Sequence, residues 1–193
     1  MNNTAVTNIM IVGVGGQGTL LASKLIGEVL MQNGFDVKVS EVHGMSQRGG
    51  SVVTYVRYGA EVASPLIDLG EADIIISFEL LEAARYLPYL KKGGTLITAD
   101  QEIDPMPVIT GAAVYPQALA EKLAAQDITF LPVDALALAE QAGNVRAVNV
   151  VLMGVLASQM PFDKNDWLSA IDVVVPARFR DVNKTAFALV FQK

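Results

Sequence analysis

The chain has 193 residues, of which 52% are hydrophobic and 18% are charged, and its formal net charge is -6. This acidic balance excludes the basic face that nucleic-acid binding requires, and no apolar run is long enough to span a bilayer. The absence of cysteine excludes disulfides, a thiolate nucleophile and cysteine-ligated zinc or iron–sulfur sites, and a single histidine excludes a histidine-rich metal site. The first residues lack the basic region of a signal peptide. We therefore expect a soluble, cytoplasmic protein that folds as one domain over residues 1–193.

Strands and helices are predicted to alternate through the first half of the chain. Residues 9–12 form an unbroken apolar run that is typical of a buried strand. Leu21, Leu25 and Val29 form a helical stripe that ends before Asn33-Gly34. The pattern predicts strands at 8–14, 35–42, 52–58, 72–78 and 95–99, and helices at 19–32 and 80–90, with a stop at 91–94. The first three elements are interpreted as a βαβ unit, and residues 58–62 as a turn into a short antiparallel strand.

The second half of the chain becomes mainly helical. Residues 104–107 are predicted to be a loop, because their two prolines suit neither a ladder nor a helix. A strand is predicted at 128–133, with 171–175 as a further candidate, and helices at 116–125, 135–142, 147–159, 163–171 and 184–191. This order predicts an α/β fold with a Rossmann-like, doubly wound and mostly parallel sheet. Helices should cover both faces, and the C-terminal third should be helical.

The first candidate site is a glycine cluster at residues 13–18, which fits G-x-G-x-x-G between a strand and a helix. Glycines at such a turn let the backbone approach a phosphate, whose charge meets the free N–H groups of the helix N-terminus. Glu41 ends the second strand, where dinucleotide-binding folds often place an acid for the ribose. Two interpretations remain open, phosphate or nucleotide binding and simple strand-to-helix packing. A full NAD site is disfavoured because the loop after Glu41 is unlike a ribose pocket.

The second candidate site is the polar, glycine-rich segment 41–51, between two β-branched runs. Arg48 carries a planar fork that matches phosphate or carboxylate, and Gly49-Gly50 can free N–H groups to form an anion-binding concavity. Neutral hydrogen bonds can come from Ser46, Gln47 and Ser51. His43 is interpreted chiefly as a structural residue, and Glu79 as an acid that favours a helix start.

These motifs together resemble the gamma-type domain of 2-oxoacid:ferredoxin oxidoreductases, and within that family the small (beta) subunits of the indolepyruvate enzymes. The likeness covers nearly the whole chain, and segment 43–50, His-Gly-Met-Ser-Gln-Arg-Gly-Gly, is its most specific part. The matching residues are 13–18, 41–51, 64–67, 72–73, 79, 82–83, 146–149 and 175–179.

The resemblance implies a subunit that is inactive alone and binds no cofactor by itself. In the family, a large (alpha) subunit carries thiamine diphosphate and 4Fe–4S clusters. The complex converts a 2-oxoacid, here an aryl pyruvate such as indolepyruvate, and coenzyme A to acyl-CoA, carbon dioxide and reduced ferredoxin. This chain would complete the active site or the coenzyme A site across the subunit interface. The expected binding residues are Gly13, Gly15, Gly16, Gln17, Gly18, Ser46, Gln47, Arg48, Gly49, Gly50 and Ser51, with His43, Glu41 and Glu79 as secondary candidates.

Several alternatives remain open at this point. The chain could be a free-standing Rossmann-type protein that binds NAD or FAD, or a structural partner whose glycines only pack. It could also be the gamma subunit of a pyruvate, 2-oxoisovalerate or 2-oxoglutarate ferredoxin oxidoreductase. When isolated, it could form a homodimer through the surface meant for the large subunit.

Overall fold

A six-stranded sheet organises the molecule, which we describe from a computed structural model at residues 6–44 and 49–192. The strands are β1 (Thr7–Val14), β2 (Asp36–His43), β3 (Ser51–Gly59), β4 (Ala72–Ser77), β5 (Leu90–Ala99) and β6 (Thr129–Val133). The helices are α1 (Thr19–Gln32), α2 (Leu80–Tyr86), α3 (Met106–Ile109), α4 (Leu119–Ala124), α5 (Ala135–Gln141), α6 (Val148–Gln159), α7 (Lys164–Val174) and α8 (Arg180–Val190). No helix in this described part has the length and apolar character needed to cross a bilayer.

The strand order is β2-β3-β1-β4-β5-β6, and β3 alone among the described strands runs opposite to the others. The predicted βαβ unit is therefore wrong in one respect, because β3 lies between β1 and β2 and pairs antiparallel with both. The connection from β2 to β3 covers only residues 44–50. A parallel crossover needs about a dozen residues or more, so this short loop can only return as a hairpin. The predicted antiparallel strand after residue 62 is also absent, since residues 60–71 are described without a strand.

Two apolar layers fill the space between the sheet and its helices, as the alternating side-chain directions of a strand require. Ile9 and Ile11 point into the layer beneath α1 and the C-terminal helices, whereas Met10 and Val12 point into the layer beneath α2 and α4. All four side chains are fully buried. The fold class is confirmed, including helices on both faces and a helical C-terminal third.

Other boundaries differ from the sequence prediction for local reasons. The helix predicted at 80–90 stops at Tyr86, where a 3-10 turn containing Pro88 follows, and residues 91–94 lie inside β5. The prolines at 105 and 107 start the short helix α3, because the first turn of a helix does not need their missing N–H groups. Residues 171–174 end α7 and form no strand, while α4 starts later and α8 earlier than predicted.

Candidate functional site

The two glycine-rich loops meet at one end of the sheet, where β1, β2 and β4 end and β3 begins. The backbone N–H of Gly15 donates to the carbonyl of Gly50 at 2.8 Å, and the N–H of Gly49 donates to the carbonyl of Gly15 at 3.3 Å. This direct contact confirms the expectation that both loops lie at one end of the sheet. Ser46, Gln47 and Arg48 were predicted to belong to this site, and they lie outside the described residues.

A cavity of about 390 Å³ opens at this junction. The first glycine loop, the start of α1, the end of β2 and the start of β3 form its walls. The lining residues are Gly15, Gly16, Gly18, Thr19, Leu20, Glu41, His43 and Val52. Glu41 and His43 are thus brought together with the glycine cluster, although both side chains are exposed.

The N-terminus of α1 faces this cavity, and no described side chain caps it. Gly18 occupies the N-cap position, and the first turn contains no acidic residue. The first N–H groups of a helix have no intrahelical partner and carry a partial positive charge. Since Thr19 and Leu20 line the cavity, this arrangement favours an anionic group there.

The side chain of Gln17 links the first glycine loop to the end of β4 by two hydrogen bonds. Its Oε1 accepts from the N–H of Val14 at 2.8 Å, and its Nε2 donates to the carbonyl of Phe78 at 3.0 Å. A Cβ at Gly13 would lie 2.7 Å from that Oε1 and 3.0 Å from the Cβ of Phe78. Gly13 and Gln17 therefore shape the loop, and the side chain of Gln17 has its polar atoms committed within the chain instead of facing a ligand.

Asn149 supports the same loop from the opposite side, a role that the sequence patterns did not identify. Its side chain is 5% exposed, its Nδ2 donates to the carbonyl of Gly18 at 3.4 Å, and its Oδ1 accepts from the N–H of Val150 at 2.9 Å. The start of α6 is thereby attached to the start of α1. The signal available in the sequence was a buried-type asparagine beside valines, which requires a hydrogen-bond partner.

Ser51 anchors the end of the second loop to α2. Its hydroxyl donates to the carboxylate of Glu82, which is 3% exposed and also accepts from Nε of Arg85 at 2.9 Å. The phenol oxygen of Tyr86 lies 3.3 Å from the same hydroxyl. Ser51 was predicted to contact a ligand, but its hydroxyl is directed to this buried carboxylate.

Replacing Ser51 by alanine should loosen the second loop. Losing a donor to a buried carboxylate is expected to lower the free energy of unfolding by about 1–3 kcal/mol. Trypsin should cleave the Arg48–Gly49 bond faster in Ser51→Ala than in the wild type, and mass spectrometry over time measures this rate. Ser51→Thr should restore the wild-type rate, because it retains the hydroxyl.

The matched control is Ser158→Ala in α6, which removes a hydroxyl bonded to the carbonyl of Gly154 at 3.1 Å. This variant should leave cleavage at Arg48 unchanged. Equal cleavage rates in the Ser51→Ala and wild-type chains would show that the serine does not anchor the loop.

Glu79 caps α2 and is 1% exposed. Its carboxylate accepts from the N–H groups of Leu81, at 3.0 Å, and Glu82, and the hydroxyl of Tyr115 lies 3.4 Å away. Burial raises the pKa of this carboxyl above its usual range, although the backbone N–H bonds act in the opposite direction. The side chain is sealed from the cavity, so the geometry gives it a capping role.

The raised pKa of Glu79 predicts a pH-dependent stability. A carboxyl whose folded pKa is raised stabilises the fold fully below its unfolded pKa of about 4.3, and that contribution is lost as pH rises through the folded pKa. Glu79→Gln should therefore gain stability relative to the wild type as the pH rises above about 4.3. Urea unfolding of both chains across this range measures the difference. Glu61→Gln, at an exposed position, removes the same charge and serves as the control. If the free energies of unfolding of the wild type and Glu79→Gln change with pH in parallel, the raised pKa of Glu79 does not affect stability.

The described walls of the glycine-loop cavity contain no lysine or arginine. Glu41 accepts from the hydroxyl of Thr54 at 3.4 Å, and Nδ1 of His43 lies 3.2 Å from the carbonyl of Gly44. No cluster of three or more histidine or acidic side chains suited to a metal occurs at residues 6–44 and 49–192. The described walls therefore supply no side chain with a permanent positive charge for an anion.

A family model described as pyruvate ferredoxin/flavodoxin oxidoreductase matches residues 8–193. The chain belongs to this family. Among curated proteins, the indolepyruvate oxidoreductase subunit IorB of Thermococcus kodakarensis is 44% identical over 94% of this chain and 93% of its own length. Its counterpart from Archaeoglobus fulgidus is 39% identical over 96% and 94% of the two chains. The predicted family is thereby confirmed.

Solved structures of two oxoacid ferredoxin oxidoreductases share the fold. The gamma subunit of a keto/oxoacid ferredoxin oxidoreductase from Geobacter sulfurreducens superimposes with a TM-score of 0.72, at 21% identity over 96% of both chains. A 2-oxoglutarate:ferredoxin oxidoreductase from Magnetococcus marinus, solved with 2-oxoglutarate, coenzyme A and succinyl-CoA bound, gives a TM-score of 0.71 at 16% identity. The match covers 95% of this chain but 30% of the Magnetococcus chain.

The strand order disfavours the dinucleotide-binding alternative. In a Rossmann nucleotide site the acid that binds the ribose ends the strand beside β1. Here β3 occupies that place, so Glu41 lies two strands, or about 10 Å, from β1. The glycine loop of this oxidoreductase chain therefore lacks the acidic residue on the adjacent strand that a dinucleotide site needs.

Proposed function

We propose that the chain is the small subunit of a 2-oxoacid:ferredoxin oxidoreductase that acts on an aryl pyruvate such as indolepyruvate. The observation that supports this most strongly is the 44% identity with the IorB subunit over 94% of the chain. The chain would act as a single domain over residues 1–193, together with a large subunit that carries thiamine diphosphate and 4Fe–4S clusters. The products would be an acyl-CoA, carbon dioxide and reduced ferredoxin.

The glycine-loop cavity would be one wall of a site shared between the subunits. Its uncapped helix terminus favours an anion, while its described walls supply no cationic side chain. Both the coenzyme A phosphates and the 2-oxoacid carboxylate are anions that such a wall could receive. Arg48, from the loop between β2 and β3, would supply the charge in this proposal, and the large subunit would supply the reacting groups.

Reconstitution with the large subunit tests the proposal. The two chains are co-expressed, and reduction of a viologen dye is measured with indolepyruvate and coenzyme A as substrates. Activity should require both chains, and neither alone should turn over. Full activity of the large subunit by itself would contradict the assignment.

Calorimetry of the isolated chain distinguishes the proposed subunit from a dinucleotide-binding protein. A free-standing dinucleotide-binding protein should bind NADH or FAD without any partner, whereas the proposed subunit should not.

The choice of 2-oxoacid is tested by comparing indolepyruvate, phenylpyruvate, pyruvate and 2-oxoglutarate in the reconstituted complex. A preference for pyruvate or 2-oxoglutarate would assign the chain to one of the other enzymes of the family.

A further inference from the structure

An apolar arm, residues 105–118, extends from the same end of the sheet as the glycine loops. It connects β5 to α4 and includes the short helix α3. Strand β5 runs parallel to β4, and β4 runs parallel to β1, so the carboxyl ends of these strands share the end of the sheet that carries the first glycine loop. Because β5 is two strands away from β1, the two strand ends are about 10 Å apart across the sheet.

The apolar arm lies in an uncharged stretch of the sequence. Residues 105–120 contain no aspartate, glutamate, lysine or arginine. Two other stretches of the chain are uncharged over at least the same length, residues 1–23 and 147–162. Those two contain β1 and α6, whose apolar side chains are mostly buried in the core. An uncharged stretch of this length therefore belongs elsewhere in the molecule to packed elements.

The apolar side chains of the arm are exposed instead. Met106 and Ile109 are three positions apart, so they share one side of α3, and they are 62% and 64% exposed. Val114 is 83% exposed. None of these three side chains belongs to either apolar layer of the fold. Single exposed apolar residues are normal, but an uncharged segment that exposes several of them is typical of an interaction surface.

The arm is nevertheless held in a defined shape. The N–H of Ala113 donates to the carbonyl of Pro107 at 2.9 Å, which turns the chain back beside α3. At the end of the arm, Tyr115 packs against the layer beneath α2 and α4, and its hydroxyl lies 3.4 Å from Oε2 of Glu79. A surface that is already ordered loses less conformational entropy when it binds a partner.

We infer that the apolar arm docks onto an apolar surface of the large subunit, beside the shared site. The inference rests on the proposed function, which places a large subunit at this end of the sheet. A different chain is favoured over a second copy because the same fold is 30% of one longer chain in the Magnetococcus enzyme, where it is joined to further polypeptide. Depletion of charge and exposed methionine are typical of the centre of a protein–protein interface.

Two charges placed on the arm test the docking. Ile109 and Val114 are exposed, so the double variant Ile109→Asp/Val114→Asp should fold, which thermal unfolding checks. Its affinity for the large subunit, measured by biolayer interferometry, should fall by about 30-fold or more, because the charges would enter an apolar contact. The milder variant Met106→Gln introduces no charge and should weaken the complex by about threefold or more.

The reconstituted activity assay separates docking from catalysis. The arm supplies no reacting group, so the double variant should reach the wild-type maximal rate at a correspondingly higher concentration of the small subunit. A lower maximal rate with an unchanged half-saturating concentration would overturn the inference, because it would give the arm a part in the reaction instead of in docking.

The matched control is Leu66→Asp/Leu69→Asp. These leucines are 60% and 66% exposed and lie between β3 and β4, at the opposite end of the sheet, so this variant should bind the large subunit as the wild type does. Equal affinities of the arm variants and the wild type would overturn the inference while leaving the proposed function intact. Failure of the wild-type chains to form any complex would contradict the proposed function, and the inference with it.

Sedimentation velocity of the isolated chain tests a second copy as the occupant. If the double variant abolishes a dimer of the isolated chain but keeps the wild-type affinity for the large subunit, the arm serves self-association and the inference is wrong.

Discussion

Replacing Arg48 by alanine in the reconstituted complex is expected to raise the apparent KM for coenzyme A or for the 2-oxoacid by about 10- to 100-fold. One charge-assisted hydrogen bond to an anion contributes about 1.5–3 kcal/mol, which corresponds to such a factor. The reason is that the described walls of the glycine-loop cavity offer free helix N–H groups but no cationic side chain. Steady-state kinetics with each substrate varied in turn shows which anion the arginine binds.

Two control variants sharpen the measurement on Arg48. Arg48→Lys retains the charge without the planar fork, so it should recover only part of the affinity. Lys122→Ala removes one positive charge from α4, far from the loops, and should leave both KM values unchanged. If Arg48→Ala leaves the KM for coenzyme A and for the 2-oxoacid at wild-type values, this arginine is not the anion-binding residue.

Gly18→Ala should produce the largest loss of stability among the loop variants. Gly18 has a φ of 89°, and a Cβ there would lie 2.6 Å from Nδ2 of Asn149, which is held in place by its bond to Val150. The backbone conformation costs about 1–2 kcal/mol for an L-residue, and the steric overlap about 1–3 kcal/mol more. We expect the free energy of unfolding to fall by about 2–5 kcal/mol in total, as measured by urea denaturation of the isolated chain.

Gly34→Ala separates the two contributions at position 18. Gly34 has a similar φ of 80°, but no atom lies within 4 Å of the position that its Cβ would occupy. This variant should therefore show only the backbone cost of about 1–2 kcal/mol. Equal losses in the two variants would mean that Asn149 moves aside freely and does not support the loop.

The sequence predicted those parts of the fold that local signals define. The bounds of α1 were predicted at 19–32 as observed, because glycines flank the helix and an apolar stripe runs along it. The buried strand β1 was recognised from its apolar run, since strands buried on both faces lack alternation. The place of β3 was not predicted, because a strand pattern carries no information on its neighbours. The short loop at 44–50 was nevertheless an available signal for a hairpin.

The candidate site was predicted less completely, since several of its contacts join distant residues. Ser51 and Glu82 are 31 positions apart and Gly18 and Asn149 are 131 apart, and no periodicity links such pairs. Ligand contact by the glycines and Ser51 stays a prediction, while the structure shows Gly13 packed against Gln17 and Phe78 and the hydroxyl of Ser51 bonded to Glu82. The expectation for Arg48 stays a prediction, because that residue lies outside the described part of the chain.

The inserted strand β3 has a further consequence for how this fold can diversify. Strands β2 and β3 form a hairpin, so the segment 44–50 that joins them can change in length and composition without altering the order of the other strands. The ladder from His43–Val52 to Asp36–Gly59 fixes the two ends of this segment. Exchanging the segment between homologues, and measuring the substrate preference of each chimaera, would show how much of that preference the segment determines.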